Sequence, residues 1–341
     1  MRIFLTGATG FLGGYIAEAC VEQGHHVHAL VQPGWDTSAL SALNVEIHEG
    51  DLRNKGSFQQ CLQGCDLILH TAAKVGDWGQ WNEYHEANVA CAKNLYDAAV
   101  EFDVPRAVHI SSTAVYGKDL ILHGAVDETM GPLKVDEMPT WYAYGRSKLL
   151  GETLAMEYHQ QGKLQVSVIR PGWVYGPRDH ARLGRLMTML KHGRARIIGD
   201  GTNQLTLTYA TNVADAVLLA ATHPAAPGEA FNVSNDEDIS QRKYFDALSD
   251  QVGTKRVRKT VPFKSAYCFA SALEASYRFL RIKRPPMITR QSVSLVGLSH
   301  RFRTDKISTR LGWQPRVNFE TAVDRIGTWW HESNPHANRA A

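Results

Sequence analysis

The first residues of the chain constrain its fold most strongly, because an apolar strand-like run leads directly into a glycine-rich turn. Residues 2–6 have the pattern of a short buried strand, and Thr6-Gly-Ala-Thr-Gly-Phe-Leu-Gly13 follows it and opens a helical pattern over 11–23. Glycines allow a tight turn and a close approach of the backbone to a pyrophosphate, whose charge the free N–H groups of a helix start favour. The segment therefore predicts dinucleotide binding through Gly7, Thr9, Gly10, Phe11 and Leu12.

Short apolar runs alternate with longer helical patterns over the first 170 residues or so. Strands are expected at 2–6, 26–31, 45–48, 67–71, 107–111 and 166–170, and helices most clearly at 11–23, 83–103 and 142–160. This alternation predicts an α/β fold with a doubly wound parallel sheet that helices cover on both faces.

The pattern becomes irregular after Pro171, which indicates a second, smaller lobe. Residues 205–222 read as a strand end running into an apolar helix, and 230–234 read as one more strand. We expect a dinucleotide-binding domain over 1–172, completed by about 205–235. A smaller, mostly helical C-terminal substrate-binding lobe is expected over 173–204 and 236–341.

Composition excludes several classes of protein. The chain has 37 Lys and Arg against 34 Asp and Glu, a balance that argues against nucleic acid as a partner. Its five cysteines have neither disulfide nor zinc spacing, which favours a reduced, cytoplasmic location. The sequence spacing of the histidines does not match a metal site at His123, at His180 or at His25-His26-His28. No transmembrane segment is expected, although the apolar segment 265–282 and the basic residues up to Arg284 allow a peripheral membrane contact.

The residues after the second and third strands bear on which dinucleotide binds. An NAD-selective site often carries an acid at the tip of the second strand, where this chain has Val31-Gln32. Because nothing there repels a 2′-phosphate, NADP is favoured over NAD, with Gln32 as a donor. Asp51, followed by Leu52 after the third strand, is expected either to contact the adenine or to cap a turn.

A second constellation concerns proton transfer. Tyr144 and Lys148 are four residues apart in a helical pattern, so their side chains share one face. A nearby ammonium lowers the pKa of a phenol and makes it a better acid–base. Ser111 and Ser112 end the strand at 107–111, and hydroxyls at such a tip face the ligand crevice, where they can stabilise a developing alkoxide.

Together these motifs resemble the extended branch of the short-chain dehydrogenase/reductase superfamily, over almost the whole chain. The motifs are the glycine turn, His70-Thr71-Ala72-Ala73, Asn88-Val89, Ser111-Ser112 through Tyr116-Gly117, Tyr144 with Lys148, and Arg170-Pro171-Gly172-Trp173-Val174-Tyr175-Gly176-Pro177. The resemblance implies a Rossmann fold and an NAD(P)-dependent enzyme.

The resemblance also implies roles for individual residues. Ser112 would be the catalytic serine, Tyr144 the acid–base, and Lys148 the residue that tunes Tyr144 and binds ribose. Asn88 would be structural or part of a proton relay. The implied cofactor contacts beyond the glycine turn are Gln32, Asp51, Leu52, Ala72, Ala73, Ser111, Tyr144, Lys148, Pro171, Gly172 and Val174.

Several stretches look most like the 3β-hydroxysteroid dehydrogenase group, among them the segment from Ala72 to Trp81. Trp78 and Trp81 follow a strand tip and Trp173 lies on the facing loop, so these rings either contact an apolar or aromatic substrate or pack between the lobes. The expected activity is interconversion of a secondary alcohol and a ketone on a steroid-like or 3-keto acid-like substrate. The alternatives are a nucleotide-sugar epimerase and, more remotely, a non-catalytic NADP sensor; the resemblance also suggests a homodimer.

Overall fold

Seven parallel strands form the central sheet of the computed structural model, which describes residues 1–117, 125–235 and 237–335. The strands of the sheet are β1 (Arg2–Thr6), β2 (His26–Val31), β3 (Glu46–Glu49), β4 (Leu67–His70), β5 (Arg106–Ile110), β6 (Gln165–Pro171) and, further along the chain, β10 (Ala230–Val233). Their order, β10-β6-β5-β4-β1-β2-β3, is that of a doubly wound sheet, so the predicted fold class is confirmed. His123 lies outside the described residues.

The remaining strands form two small parallel pairs. One pair joins β7 (Trp173–Tyr175) to β9 (Leu207–Tyr209), and the other joins β8 (Ile197–Ile198) to β11 (Thr260–Val261). The first pair begins immediately after the end of β6, so it continues the chain from the sheet toward the C-terminal lobe.

Twelve α-helices are assigned within the described residues. They are α1 (Phe11–Glu22), α2 (Ser38–Ser41), α3 (Trp81–His85), α4 (Cys91–Glu101), α5 (Ala143–Gln160), α6 (Leu183–Lys191), α7 (Ala210–Thr222), α8 (Gln241–Val252), α9 (Phe263–Phe279), α10 (Arg290–Gly297), α11 (Asp305–Leu311) and α12 (Phe319–Ser333). Short 3₁₀ turns occupy Lys55–Ser57, Gln59–Leu62, Thr113–Tyr116, Glu128–Met130 and Val135–Glu137. No helix of the described residues is long and apolar enough to cross a membrane.

The helical pattern at 83–103 does not form one continuous helix. A π-helical turn, Glu86–Ala90, separates α3 from α4. This wider turn carries Asn88, which is 3% exposed and binds groups from two other segments of the chain. A pattern of apolar residues cannot reveal such an insertion, because the residues on either side keep their helical periodicity.

Two apolar layers enclose the sheet. One layer packs α1 and α7 on the strands around Leu5, Leu69 and Ile169, and the other packs α4 and α5 around Phe4, Ile68 and Val168. Alternate residues of one strand thus enter opposite layers, as a sheet buried on both faces requires. A separate cluster joins α6, α8 and α12. The proposed boundaries of the two lobes stay a prediction.

Candidate active site

The carboxyl ends of the sheet strands open into a cavity of about 910 Å³. It lies at the switch between β1 and β4, where an open α/β sheet binds its ligand. The structure brings together at its wall every residue predicted to bind the cofactor: Gly7, Thr9, Gly10, Phe11, Leu12, Gln32, Asp51, Leu52, Ala72, Ala73, Ser111, Tyr144, Lys148, Pro171, Gly172 and Val174. Ser112 and Trp173 line the same cavity.

The glycine turn needs its glycines for packing as well as for access. Gly7 has a φ of 74°, and a Cβ there would lie 2.7 Å from the Ala72 nitrogen. At Gly13 a Cβ would lie 2.0 Å from the Gly7 carbonyl oxygen, so any side chain would push α1 away from β1. Gly10 caps α1 without a side-chain hydrogen bond, which leaves the N–H groups of the first turn available to a phosphate.

Tyr144, at the start of α5, is held as a neutral phenol. Burial raises the pKa of Tyr144, while the positive charge of Arg182 and a hydrogen bond with the Ser112 side chain act to lower it. Because burial prevails, the hydroxyl keeps its proton at neutral pH. Tyr144 is therefore poised to donate a proton when a ketone oxygen gains charge.

Lys148 lies one turn along α5, is 5% exposed, and donates from Nζ to the Ile110 carbonyl at 2.5 Å. Burial lowers the pKa of Lys148 to about 8, partly opposed by the carboxylate of Glu152. The positive charge of Arg182 also acts on the pKa of Tyr144, which the sequence did not indicate. The role of Lys148 as the charge that tunes Tyr144 stays a prediction.

Asn88 connects the loop after β4 to the start of α5. Its side-chain oxygen accepts from the Lys74 backbone N–H at 2.6 Å, and its amide donates to the Lys74 carbonyl and to the Ser147 hydroxyl. Ser147 in turn donates to the Tyr144 carbonyl at 2.8 Å. Asn88 is therefore connected to the Tyr144 backbone through one intermediate side chain, that of Ser147, which gives Asn88 a positioning role.

The residues of the cavity fit a dinucleotide. Free N–H groups of α1 face its floor, and the hydroxyl of Ser111 is buried without any hydrogen-bond partner in the described structure. An orphaned hydroxyl at the end of β5 is unfavourable unless a ligand satisfies it. Lys148 would hold a ribose hydroxyl, and the segment at Pro171 would lie against the nicotinamide.

Comparison with known families decides the assignment. Residues 3–234 match the model of the NAD dependent epimerase/dehydratase family. This range contains most of the sheet and most of the cavity wall. The chain belongs to this family. It is an NAD(P)-dependent oxidoreductase of the extended short-chain dehydrogenase/reductase type, as the sequence motifs indicate.

Two curated relatives and one solved structure illustrate what the chain is similar to within this family. The chain is 30% identical to a 2-alkyl-3-oxoalkanoate reductase of Stenotrophomonas maltophilia, over 96% of this chain and 98% of the relative. It is 27% identical to a 3beta-hydroxysteroid-dehydrogenase/decarboxylase of Arabidopsis thaliana, over 94% of this chain and 77% of the relative. The crystal structure of gox2253 superposes with a TM-score of 0.81 at 26% identity, covering 97% and 98% of the two chains.

The three tryptophans predicted either to contact the substrate or to pack between the lobes do not all lie at the cavity. Trp173 lines the cavity, whereas Trp78 and Trp81 are not part of its wall. Trp78 packs against the Tyr277 ring and under the Arg278 guanidinium, and Trp81 packs against His85. Trp78 therefore joins the loop after β4 to α9, whereas Trp81 packs against His85 of its own helix α3 and under the Arg146 guanidinium of α5.

Sequence reasoning missed several residues of the cavity wall. Arg53 lies at the adenosine end, where its single Nε–H is shared between the two Asp51 carboxylate oxygens and its Nη2 donates to one of them. At the reactive end Arg182 and Trp141 join the wall, as do Gln291, Ser294 and Leu295 from α10. Only the tertiary fold brings these elements together, so no local motif marks them.

A histidine cluster lies away from the cavity, on β2 and β3. His28 Nδ1 and His48 Nε2 are 3.0 Å apart, with the Glu46 carboxylate 3.1 Å from His48. The sequence indicates no metal-ligand spacing here, because pairing of the two strands creates the cluster. The Arg2 Nε–H donates to His28 Nε2 at 3.3 Å. His28 Nδ1 then carries the ring proton, and both His48 Nε2 at 3.0 Å and the Glu46 carboxylate at 3.4 Å lie around it.

Proposed function

We propose that this protein interconverts a ketone and a secondary alcohol on a largely apolar substrate, steroid-like or 3-keto acid-like. The observation that carries the proposal is the joint position of the Tyr144 and Ser112 hydroxyls in the cavity that fits the dinucleotide. The wall beyond them includes Trp141, Trp173, Leu295 and Phe302, an apolar surface that suits a hydrocarbon substrate.

The chain's own residues supply positioning and proton transfer. When bound, the nicotinamide dinucleotide supplies or accepts the hydride. In the direction of reduction, Ser112 donates a hydrogen bond to the substrate oxygen and fixes its orientation. Tyr144 donates its proton to that oxygen as charge develops on it. Lys148, which lies one helical turn beyond Tyr144 and donates from Nζ to the Ile110 carbonyl, is proposed to stabilise with its positive charge the phenolate that remains.

A substrate panel tests this function. Purified protein is mixed with NADPH or NADH and with a 3-oxo acid, a 3-ketosteroid or a UDP-sugar, and nicotinamide absorbance is followed. We expect net cofactor oxidation with a 3-oxo acid or a ketosteroid. Absence of turnover with every ketone, in either cofactor, contradicts the proposal.

Two alternatives have distinct outcomes in the same panel. An epimerase returns the hydride within one turnover, so a UDP-sugar would be converted without a net change in absorbance. A non-catalytic NADP sensor would bind the nucleotide tightly and turn over nothing. The presence of Tyr144 and Ser112 in the cavity argues against a sensor, because binding alone does not need a proton donor.

The pH profile depends on Lys148. The pKa of Lys148 is about 8, so the ammonium loses its charge as pH rises through that value, while Tyr144 stays protonated because burial raises its pKa. At saturating cofactor, we expect kcat/KM for ketone reduction to fall about tenfold per pH unit above roughly pH 8. In Lys148→Arg the descending limb should vanish below pH 10, because a guanidinium keeps its charge. A wild-type profile that stays level to pH 10 would show that the ammonium is not required.

We propose NADP as the preferred dinucleotide, on the strength of Gln32 and Arg53. Both line the adenosine end, and Arg53 is paired with Asp51 in a partly exposed position, where an ion pair stabilises little. Arg53 can therefore turn to a 2′-phosphate at small cost. Arg53→Ala should lower kcat/KM with NADPH about tenfold and leave the value with NADH within about twofold. Steady-state kinetics with both cofactors, and Gln32→Ala as the companion variant, check this; equal losses with NADPH and NADH would argue against it.

The remaining expectations stay predictions. A peripheral membrane contact is supported by the exposed Phe269, Phe279 and Leu280 of the α9 region, beside the exposed Arg278, Arg281, Lys283 and Arg284. The homodimer and the cytoplasmic location are supported only by the sequence.

A further inference from the structure

One basic side chain at the reactive end of the cavity has neither an ion pair nor a hydrogen bond among the described residues. Of the lysines and arginines in the cavity wall, Arg53 pairs with Asp51 and Lys74 pairs with Glu83 at 3.1 Å, while Lys148 donates to a carbonyl. The fourth is Arg182, whose guanidinium has neither an ion pair nor a hydrogen bond within the described part of the chain.

The backbone of Arg182 is held firmly although its side chain is exposed. Asp179, which is 5% exposed, accepts from the Arg182 backbone N–H at 3.0 Å and from that of Leu183 at 3.3 Å. These bonds fix the start of α6 against the cavity wall. The guanidinium is close enough to Tyr144 for its charge to act on the pKa of that phenol. Arg182 therefore carries an unpaired positive charge near the reacting hydroxyl, on a backbone that is held in place.

We propose that Arg182 binds the carboxylate of a 3-oxo acid whose ketone oxygen lies between Ser112 and Tyr144. This inference rests on the proposed function and specifies its substrate as an anion. In a 3-oxo acid the carboxylate carbon is two bonds from the ketone carbon, about 2.5 Å away. A cation that holds the carboxylate must then lie close to the hydroxyls that hold the ketone. A guanidinium offers paired N–H groups that match the two carboxylate oxygens.

The same charge discriminates against neutral ketones. A long apolar substrate covers the mouth of the cavity and removes water from Arg182. A carboxylate replaces that water with charge-assisted hydrogen bonds, whereas an ester or a simple ketone leaves the guanidinium desolvated and unpaired. Arg182 thus acts as a specificity-determining residue, through attraction of the acid and rejection of its neutral analogue.

The experiment compares a freshly prepared 3-oxo acid, 3-oxodecanoate, with its methyl ester. The wild-type protein should prefer the acid. Arg182→Met should lower the ratio of kcat/KM for the acid to kcat/KM for the ester on the order of 10–100-fold, mainly through KM for the acid, because the loss of positive charge near Tyr144 acts on both substrates and cancels in the ratio. Arg182→Lys should retain part of the preference, because an ammonium keeps the charge without the paired geometry. Arg194→Met, an exposed arginine outside the cavity wall, should leave both substrates unaffected.

The possible outcomes separate this inference from the proposed function. If the wild-type protein reduces the ester as well as the acid, or if Arg182→Met lowers both equally, the carboxylate role is wrong while the ketoreductase function stands. If the wild-type protein reduces neither acid nor ester nor any other ketone, the function itself fails. A loss of selectivity in Arg182→Met, with turnover of the ester preserved, is the result that supports the assignment and also shows that the variant is folded.

Discussion

Tyr144→Phe should lower kcat for ketone reduction on the order of 10²–10⁴-fold, the loss typical of removing a general acid. The substitution deletes one oxygen and leaves the ring, so packing at the start of α5 is kept. The lost group is the proton donor, because the phenol is neutral at physiological pH and shares a hydrogen bond with Ser112. Single-turnover measurements at saturating cofactor isolate this step from product release.

The same substitution elsewhere on α5 provides the control. Tyr158 lies near the other end of that helix, and its hydroxyl donates to the Asp97 carboxylate rather than to a cavity residue. Tyr158→Phe should therefore leave kcat within about threefold of wild type, while it costs about 1 kcal/mol of stability through the lost hydrogen bond. Undiminished turnover in Tyr144→Phe would remove the assignment of the acid, whatever the substrate.

Glu152→Ala should destabilise the protein by about 3–5 kcal/mol, because it leaves Arg170 buried and unpaired. Both side chains are about 5% exposed, and Arg170 donates to the Glu152 carboxylate through Nε at 3.0 Å and through a second nitrogen. Burial acts to lower the pKa of Arg170, but Glu152 and Tyr116 outweigh it and the pKa is raised, so the guanidinium stays charged. The midpoint and slope of urea denaturation measure the loss.

Two further variants show whether the buried charge is the cause. In Glu152→Ala with Arg170→Met, neither charge remains, and much of the lost stability should return. Glu18→Ala removes the partner of Arg178 at the surface and should cost less than about 1 kcal/mol. A Glu152→Ala protein as stable as Glu18→Ala would mean that water reaches Arg170.

The location of this ion pair gives it a functional consequence. Glu152 lies one turn beyond Lys148 on α5, and Arg170 immediately precedes the Pro171-Gly172 segment of the cavity wall. The pair thus ties the helix that carries Tyr144 to the strand end proposed to lie against the nicotinamide. Arg170 also donates to the Tyr116 hydroxyl, which donates to Asn232 on β10, so the last strand of the sheet joins the same network.

The predictions that came from motifs agree closely with the structure. The strands at 2–6 and 26–31 have the bounds of β1 and β2, and the helix expected at 142–160 is α5, Ala143–Gln160. These features depend on residues close in sequence: apolar periodicity, glycines at a turn, and a spacing of four along a helix. Because parallel strands place their carboxyl ends at one edge, Ser112 and the glycine turn were also expected together.

Features that arise from contacts between distant segments could not be anticipated. The π-helical turn at Asn88 depends on groups supplied by Lys74 and Ser147, and the partner of Lys148 is a carbonyl 38 residues earlier in the chain. Trp78 and Trp81 follow a strand tip, yet they lie outside the cavity wall, where Trp78 packs against Tyr277 of α9 and Trp81 under Arg146 of α5.

Local order along the chain was therefore enough to specify the parallel sheet, the dinucleotide turn and the pair Tyr144 and Lys148. The charge distribution around that pair was a property of the folded molecule. Arg53 reaches the adenosine end through the turn after β3, and Arg182 reaches the phenol from the start of α6, 38 residues beyond it in sequence. Electrostatic interactions act through space over several Å, whereas sequence patterns report only neighbours along the backbone. The motifs were thus enough to predict the reaction class, whereas the proposed selectivity for cofactor and substrate depends on where the folded chain places its arginines.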